Sequence, residues 1–277
     1  TDAKFQIILH AARSVLITSH LDQSRILSSS ATTSATYIGG ILGNVSVASE
    51  LKKCSNKGNI MVTGKCTETF SSPTSAGSCR VAGLAGSCAA AVKISNGENS
   101  GRIEVNSNTS YANISGMVAV NTNGQATLSL CVNNGYIGGA PVSNGANQVV
   151  RIAGLVALST VSGTTMNSCE NYGELKLDND YQIWRCWIGG AAGYCKAVVV
   201  SGGKFKANLS RGNISAGQIS TVIGQDDTTG GRVENNGVAG TLNGTVITEG
   251  NFNNPISNIV AKKTGAYSPD LATAGNY

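Results

Sequence analysis

The sequence predicts an all-β chain folded as a right-handed parallel β-helix, a solenoid of about six coils. Two short motifs that recur in phase indicate this fold, and the composition agrees with them. Among 277 residues there are 35 Gly, 41% hydrophobic residues and only 13% charged residues. Ala, Val, Ile, Ser, Thr and Asn supply much of the remainder, and this mix suits strands with frequent tight turns. Disorder is excluded by the apolar content.

The first motif reads apolar-small-Gly-apolar-apolar-small. Its copies occupy residues 38–43, 81–86, 114–119, 152–157 and 188–193, and residues 222–225 resemble a degraded sixth copy. Strict alternation along one strand would expose the residue after the central Gly and leave an apolar stripe, whereas a bulge would turn it inward. Both readings stay open at this stage for Ile41, Leu84, Met117, Leu155 and Ala191.

The second motif reads Cys-x-Asn-x-Gly-x-Ile and follows each copy of the first. Clear copies occupy residues 54–60, 131–137 and 169–175, looser ones occupy 97–103 and 208–214, and residues 235–239 resemble the core of another. The period is roughly 33 to 43 residues, and its variation falls between motifs, as loop insertions in a solenoid would.

Each repeat has room for about three short strands, enough for one coil of a β-helix. Stacked coils bring equivalent residues to about 4.8 Å from each other, so identical positions form ladders. We expect a buried aliphatic ladder of Ile38, Val81, Ile114, Ile152 and Ile188. We also expect an Asn ladder at a bend, formed by Asn56, Asn99, Asn133 and Asn171.

These motifs resemble the GLUG-motif repeats of bacterial secreted and surface proteins. The resemblance covers roughly residues 36–240 and rests on the Gly-Gly-Ile-Leu-Gly type segment and the Cys-x-Asn-x-Gly-x-Ile segment. It implies a β-helix that is secreted or displayed on the bacterial cell surface, often within large adhesins. It does not imply one activity, since repeat scaffolds host many functions.

The two ends do not match the repeat. Residues 1–35 are expected to form an N-terminal cap or the end of a preceding domain, residues 36–240 the β-helix repeats, and residues 241–277 a C-terminal strand and cap. A cap would protect the unpaired backbone groups of an open solenoid end.

Eight cysteines are present, and their spacing favours buried thiols over a dense disulfide framework. Cys54, Cys131 and Cys169 share one repeat position, which predicts an inward ladder of small apolar side chains. A straight strand would hold Cys79 and Cys88 too far apart to bond. The same spacing separates Cys186 and Cys195, and Cys66 with Cys79 could close an insertion. No zinc-ligand spacing occurs.

The charge, the apolar runs and the histidines and acidic residues of the chain restrict the classes of function that it can have. The net charge of +5 is scattered, which argues against a nucleic-acid partner, and no apolar run of about 18 residues predicts a transmembrane segment. The two histidines, His10 and His20, stand in no catalytic motif, and no cofactor or metal is predicted. Asp226 and Asp227, with Lys204 or Arg232 nearby in sequence, are the best candidates for a polysaccharide-cleaving site.

Aromatic residues cluster once in the chain, within the fifth repeat. Aromatic faces bind sugar rings and partner proteins with little loss of conformational entropy. The alternative is that Trp184 caps the core and Trp187 packs on a neighbouring coil. The predicted binding residues are Tyr172, Tyr181, Trp184, Arg185 and Trp187.

The sequence therefore favours a non-catalytic, secreted or cell-surface structural or adhesive module that displays loops to a glycan or a surface protein. One alternative is a polysaccharide-active lyase or glycosidase, which two or three carboxylates converging in a cleft would favour. Another is a fimbrial or surface-layer subunit that assembles through the solenoid ends.

Overall fold

A computed structural model describes the chain in segments. These are residues 16–17, 20–21, 26–28, 36–66, 79–109, 111–140, 149–161, 163–177, 183–195, 198–201, 204–205, 209–211, 214–220, 223–226, 235–236, 246–248 and 260–261. Every regular element in these segments is a β-strand. Across the same residues there is no helix of the length and apolarity needed to span a membrane.

Short strands follow one another at close intervals along the chain. In chain order they are β1 (Leu16–Ile17), β2 (His20–Leu21), β3 (Ile26–Ser28), β4 (Thr36–Gly39), β5 (Leu42–Val45), β6 (Ser49–Lys52), β7 (Ser55–Asn56), β8 (Ile60–Cys66), β9 (Cys79–Ala82), β10 (Ala85–Cys88), β11 (Val92–Ser95), β12 (Glu98–Asn99), β13 (Ile103–Thr109), β14 (Tyr111–Ser115), β15 (Val118–Asn121), β16 (Ala126–Ser129), β17 (Val132–Asn133), β18 (Ile137–Gly139), β19 (Val149–Ala153), β20 (Val156–Ser159), β21 (Thr164–Asn167), β22 (Glu170–Asn171), β23 (Leu175–Leu177), β24 (Ile183–Gly189), β25 (Ala192–Cys195), β26 (Val198–Ser201), β27 (Lys204–Phe205), β28 (Leu209–Arg211), β29 (Ile214–Ser220), β30 (Ile223–Asp226), β31 (Asn235–Asn236), β32 (Val246–Thr248) and β33 (Val260–Ala261).

Five parallel sheets run along the molecule, and each complete coil contributes one strand to each. In order along a coil they are sheet 1 (β4-β9-β14-β19-β24-β29-β31), sheet 2 (β5-β10-β15-β20-β25-β30), sheet 3 (β1-β6-β11-β16-β21-β26-β32), sheet 4 (β2-β7-β12-β17-β22-β27) and sheet 5 (β3-β8-β13-β18-β23-β28-β33). Each strand therefore pairs with its equivalents one coil before and one coil after. The predicted parallel β-helix is confirmed.

The number of strands per coil differs from the expected three, because the chain bends more often than the sequence indicates. One bend divides the first motif between β4 and β5 at Gly40 and Ile41. Another separates sheet 3 from sheet 4, and there one residue per coil adopts a left-handed φ of 50–54°. These residues are Lys53, Asn96, Leu130 and Ser168.

The aliphatic ladder is confirmed in register. Ile38 pairs with Val81, which pairs with Ile114, and the row continues through Ile152 and Ile188. The residue after the central Gly also lies inside, because the bend between sheets 1 and 2 rotates it into the core. No apolar stripe is exposed at this position, since Ile41, Leu84, Met117, Leu155 and Ala191 are all buried.

The Asn ladder is also confirmed. Asn56 donates from Nδ2 to Asn99 Oδ1, Asn99 to Asn133, and Asn133 to Asn171, each over 2.7 Å. The same Nδ2 atoms donate to the carbonyl oxygen two residues later in each coil, over 3.1–3.5 Å. The amides therefore hold both the stack of coils and the turn from sheet 4 to sheet 5.

Glycines of the first motif lie against this ladder. A Cβ at Gly83 would stand 2.5 Å from Asn99 Oδ1, and one at Gly116 would stand 2.8 Å from Asn133 Oδ1. We call the contact between these glycines and the Asn ladder the Asn–Gly wall. It divides the interior into two apolar clusters, one containing Leu84 and the other Val81. The two motifs stay in phase because each coil must supply both the Gly and the Asn of this wall.

The ladder ends where the motif ends. Leu21 pairs with Asn56 on one side, so Asn56 Oδ1 is buried without a hydrogen-bond partner. On the other side the buried Phe205 pairs with Asn171. The expected copy at residues 208–214 is therefore wrong: the register places Phe205 at the Asn position and Leu209 opposite Leu175.

The degraded copies at the C-terminal end have different outcomes. Ile223 pairs with Ala192, so it occupies a first-motif position in a sixth coil, and Gln225 follows the motif opposite Tyr194. Asn235 and Asn236 instead pair with Ile219 and Ser220 in sheet 1, so they do not continue the Asn ladder, and residues 237–239 lie outside the described residues.

Short strands near both ends continue the same sheets. β1 pairs with β6, β2 with β7 and β3 with β8, while β32 pairs with β26 and β33 with β28. The division into terminal segments 1–35 and 241–277 stays a prediction.

Cys54, Cys131 and Cys169 point inward as expected and are fully buried. Cys79 and Cys88 lie in different apolar clusters, on opposite sides of the Asn–Gly wall. Burial raises the pKa of the Cys88 thiol to about 12. The side chains of Cys66 and Cys195 lie outside the described residues.

Candidate functional site

The outer face of sheet 5 carries a row of polar residues at one repeat position. This position lies between the Gly and the Ile of the second motif, and its occupants in successive coils are Asn59, Arg102, Tyr136 and Glu174. Backbone hydrogen bonds fix the row: Ile103 N donates to the Tyr136 carbonyl over 2.8 Å, and Ile137 N to the Glu174 carbonyl over 2.9 Å.

A second outward row runs beside the first, two residues further along each coil. Glu104, Gly138 and Lys176 pair in register across coils two to four. Glycine is required in the middle, because a Cβ at Gly138 would collide with the Lys176 carbonyl oxygen and stand 3.0 Å from Tyr136 Oη. The absence of a side chain at position 138 leaves room for the Tyr136 hydroxyl and for the backbone of Lys176.

A cleft of about 240 Å³ lies beside these two rows, and we call it the sheet 5 cleft. Its lining is mostly polar and includes two carboxylates, which come from different coils. The lining residues are Arg102, Glu104, Asn106, Tyr136, Gly139, Ala140, Glu174 and Lys176. Glu104 and Glu174 lie two coils apart and are offset by two residues along the strand, which sets their backbones roughly 12 Å apart.

Arg102 is held in place on two sides. Its guanidinium carbon lies 3.7 Å from the centroid of the Tyr136 ring, and its Nε lies 2.6 Å from Glu104 Oε2. Asn106 Nδ2 donates to the other oxygen, Glu104 Oε1, over 2.8 Å. The guanidinium plane, the carboxylate and the amide therefore form one connected arrangement on the rigid face of a sheet.

The electrostatics of the cleft favour a permanently charged Arg102. Partial burial alone would lower the pKa of this guanidinium, but the hydrogen bond and charge of Glu104, together with the nearby Glu174, raise it above its ordinary value. Because both oxygens of Glu104 accept hydrogen bonds, the carboxylate is best suited to its ionised form.

Of the five predicted binding residues, the structure describes the side chains of Tyr172 and Trp187, and these two lie on different sheets. Trp187 is 1% exposed in sheet 1, with its ring centroid 4.9 Å from that of Tyr194 and 5.4 Å from the Arg151 guanidinium carbon. Tyr172 is 39% exposed beside sheet 4, where its Oη donates to Glu170 Oε2 over 2.9 Å.

The other predicted binding residues are described only in part. Arg185 pairs with Val149 through the backbone of β24, which also contains Trp184, but neither side chain is described. Tyr181 lies outside the described residues, as do His10, Asp227 and Arg232. The backbone of Asp226 is in β30, opposite Cys195.

The Trp187 environment is a buried contact between the outer faces of sheets 1 and 2. One row of sheet 1 runs Arg80, Asn113, Arg151 and Trp187 in register. Arg80 Nη1 donates to Ser87 Oγ of sheet 2 over 2.9 Å, and Arg151 Nη1 to Asn113 Oδ1 over 3.1 Å. The Arg80–Ser87 hydrogen bond therefore links the two sheets, and the Arg151–Asn113 bond links neighbouring coils of sheet 1.

The sequence missed the sheet 5 cleft because its residues belong to three different repeats and share no residue type. The available signal was the variable position between Gly and Ile, which is polar in four successive coils. In the described part of the chain, no three His, Cys, Asp or Glu side chains are close enough together to hold a metal ion.

The described residues form a parallel β-helix with a polar cleft, the sheet 5 cleft, on the outer face of one sheet. No family model, curated protein or solved structure matches the chain.

Proposed function

We propose that the chain is a non-catalytic adhesive module, secreted or displayed on a bacterial cell surface, that binds a glycan in the sheet 5 cleft. The observation that carries the proposal is the fixed array of Arg102, Tyr136 and Glu104 on the rim of that cleft. The resemblance of the motifs to GLUG repeats supports export and surface display.

The chemistry of the cleft suits hydroxyl-rich ligands. Sugar hydroxyls both donate and accept hydrogen bonds, so a site needs carboxylates and amides as well as cationic donors. Glu174 and Lys176 face Arg102 and Asn106 across the cleft, which supplies both kinds of group. The aromatic ring of Tyr136 adds an apolar edge of the kind that packs on sugar rings.

Rigidity supports the proposal as well. The cleft residues stand on paired strands rather than on long loops, so little conformational entropy is lost on binding. Tyr172 lies in the turn between sheets 4 and 5, two residues before Glu174. It is 39% exposed and extends the site toward sheet 4.

A glycan array probed with the whole chain tests this proposal. We expect binding to a limited set of oligosaccharides, with at least a tenfold weaker affinity after Tyr136→Ala or Arg102→Ala. Lys93→Ala on the outer face of sheet 3 is the matched control, since Lys93 is exposed and lies on another sheet. Absence of binding to every glycan, or equal binding by all three variants, would contradict the proposal.

A polysaccharide-cleaving enzyme is the second candidate, and the two carboxylates of the cleft favour it. Glu104 and Glu174 both line the cleft, and glycosidases use a pair of carboxyl groups that flank the scissile bond. However, a general acid must carry a proton, and the hydrogen bonds from Arg102 and Asn106 favour ionised Glu104. Release of reducing ends from a bound polysaccharide, abolished by Glu174→Gln, would establish the enzyme instead of the adhesive module.

A further inference from the structure

Two buried thiols stack directly on each other in neighbouring coils. Cys131 immediately precedes β17 and Cys169 immediately precedes β22, and these strands pair in register, with Glu170 N donating to the Cys131 carbonyl over 2.8 Å. Both side chains are 0% exposed. Neighbouring parallel strands lie about 4.8 Å apart, which is within the Cα separation that a disulfide spans.

Cys54 occupies the same row but is separated from this pair. Gly97 stands between them in the second coil, and a Cβ there would lie 3.4 Å from Cys131 Sγ. Two coil spacings place Cys54 roughly 10 Å from Cys131, beyond the reach of a disulfide. The row therefore contains one pair of adjacent thiols and one isolated thiol, which serves as an internal control.

The two thiols influence each other. The Cys169 thiol donates to the Asn167 carbonyl oxygen over 3.4 Å, and coupling between the two neighbouring sulfurs lowers the pKa of Cys131 and raises that of Cys169. Cys131 also lies 3.4 Å from the carbonyl oxygens of Ile94 and Ser129. Exchange proceeds through a thiolate, so either cysteine can start it while the chain is folding.

We propose that Cys131 and Cys169 form a reversible disulfide between coils three and four when the chain folds in the presence of a small-molecule disulfide. The Cys131 thiolate attacks one sulfur of this oxidant, forms a mixed disulfide and releases one thiolate, which takes up the proton that Cys131 lost. Deprotonated Cys169 then attacks the Cys131 sulfur and releases the second thiolate, which takes up the Cys169 proton. Two electrons pass to the oxidant, which leaves as two thiols.

The bond would add a covalent link between two coils that backbone pairing and the Asn133–Asn171 hydrogen bond hold in register. It closes a loop of one coil, so its main effect is to restrict the unfolded chain. Directly stacked Cβ atoms stand slightly further apart than in most disulfides, and the side chains must tilt to bond. Such a bond is more readily reduced than an unstrained one, which makes it reversible.

The test uses the whole chain, reduced and unfolded, then refolded in mixed oxidised and reduced glutathione. After alkylation and proteolysis, mass spectrometry should find the Cys131 and Cys169 peptides linked and Cys54 alkylated. The midpoint of thermal unfolding should rise by about 5–10 °C relative to the reduced chain. Cys54→Ser should retain the link and the shift, whereas Cys169→Ser should lose both.

Peptide mapping of the unaltered chain decides the proposal without any variant. Alkylation of both Cys131 and Cys169 after oxidative refolding would overturn it. A link from either residue to a different cysteine would overturn it equally.

Discussion

Replacing Asn133 with Ala probes the Asn–Gly wall at its centre. Asn133 accepts a hydrogen bond from Asn99 and donates to Asn171 Oδ1, each over 2.7 Å, and it also donates to the Gly135 carbonyl over 3.1 Å. Asn171 at the end of the ladder is the matched control. It accepts the bond from Asn133, but its own Nδ2 reaches only the Gly173 carbonyl, at 3.5 Å.

The hydrogen bonds predict a clear difference between the two variants. Asn133→Ala removes three bonds of about 1 kcal/mol each and strands the buried Asn171 Oδ1, which adds about 1–2 kcal/mol. Asn171→Ala removes one strong and one long bond, and Asn133 Nδ2 keeps its Gly135 partner. The cavities left by the two substitutions are alike, so their cost cancels in the difference between the variants. We therefore expect Asn133→Ala to lower the free energy of unfolding by about 2–3 kcal/mol more than Asn171→Ala does.

Urea-induced unfolding followed by circular dichroism measures both free energies. An equal loss in the two variants, or a larger loss for Asn171→Ala, would refute the view that the ladder acts as a connected row. A change in the urea dependence itself would indicate that the variant no longer unfolds in one step.

Three further predictions concern single positions. Leu130 is 55% exposed with φ 54°, so Leu130→Asn should raise the free energy of unfolding by about 1 kcal/mol in the same urea assay. Gly116→Ala should abolish soluble expression or lower stability by more than about 3 kcal/mol, because the added Cβ would stand 2.8 Å from Asn133 Oδ1; soluble yield and thermal unfolding check this. Trp187→Ala should lower stability by about 3–5 kcal/mol, whereas Tyr172→Ala should change it by less than about 0.5 kcal/mol in a thermal-shift assay.

The sequence predicts the ladders well because the ladder residues repeat in kind. A buried row needs similar side chains at each level, so Ile114 and Ile152 carry a visible period and pair as expected. The bends are less visible. Lys53, Leu130 and Ser168 adopt the same left-handed conformation but share no chemistry, so the number of strands per coil could not be predicted from them.

The fifth coil shows how a motif match can fail. Residues 208–214 resemble the second motif through their Gly and Ile, yet backbone pairing places Phe205 at the Asn position. Phe205 is buried and closes the ladder with an apolar side chain. Nothing in a pattern built around Asn predicts that its last member is an aromatic residue.

Tyr172 and Trp187, two of the predicted binding residues, show a related effect. Tyr172 and Trp187 are close in sequence, but the chain passes from sheet 4 through sheet 5 to sheet 1 between them. In a coil with five bends, proximity in sequence says little about which face a side chain occupies. Proximity across coils says much more, as Arg102, Tyr136 and Glu174 demonstrate.

The same register that fixes the core leaves the outer rows free to vary. The contacts of Asn133 and Gly116 fix the position of the third coil, and they do not involve the side chain at position 136. Outer positions can therefore change from Asn59 to Arg102 to Tyr136 without disturbing the stack. A binding site on such a scaffold consists of side chains placed about 4.8 Å apart on neighbouring parallel strands. Its specificity depends on the residues that the repeat does not constrain.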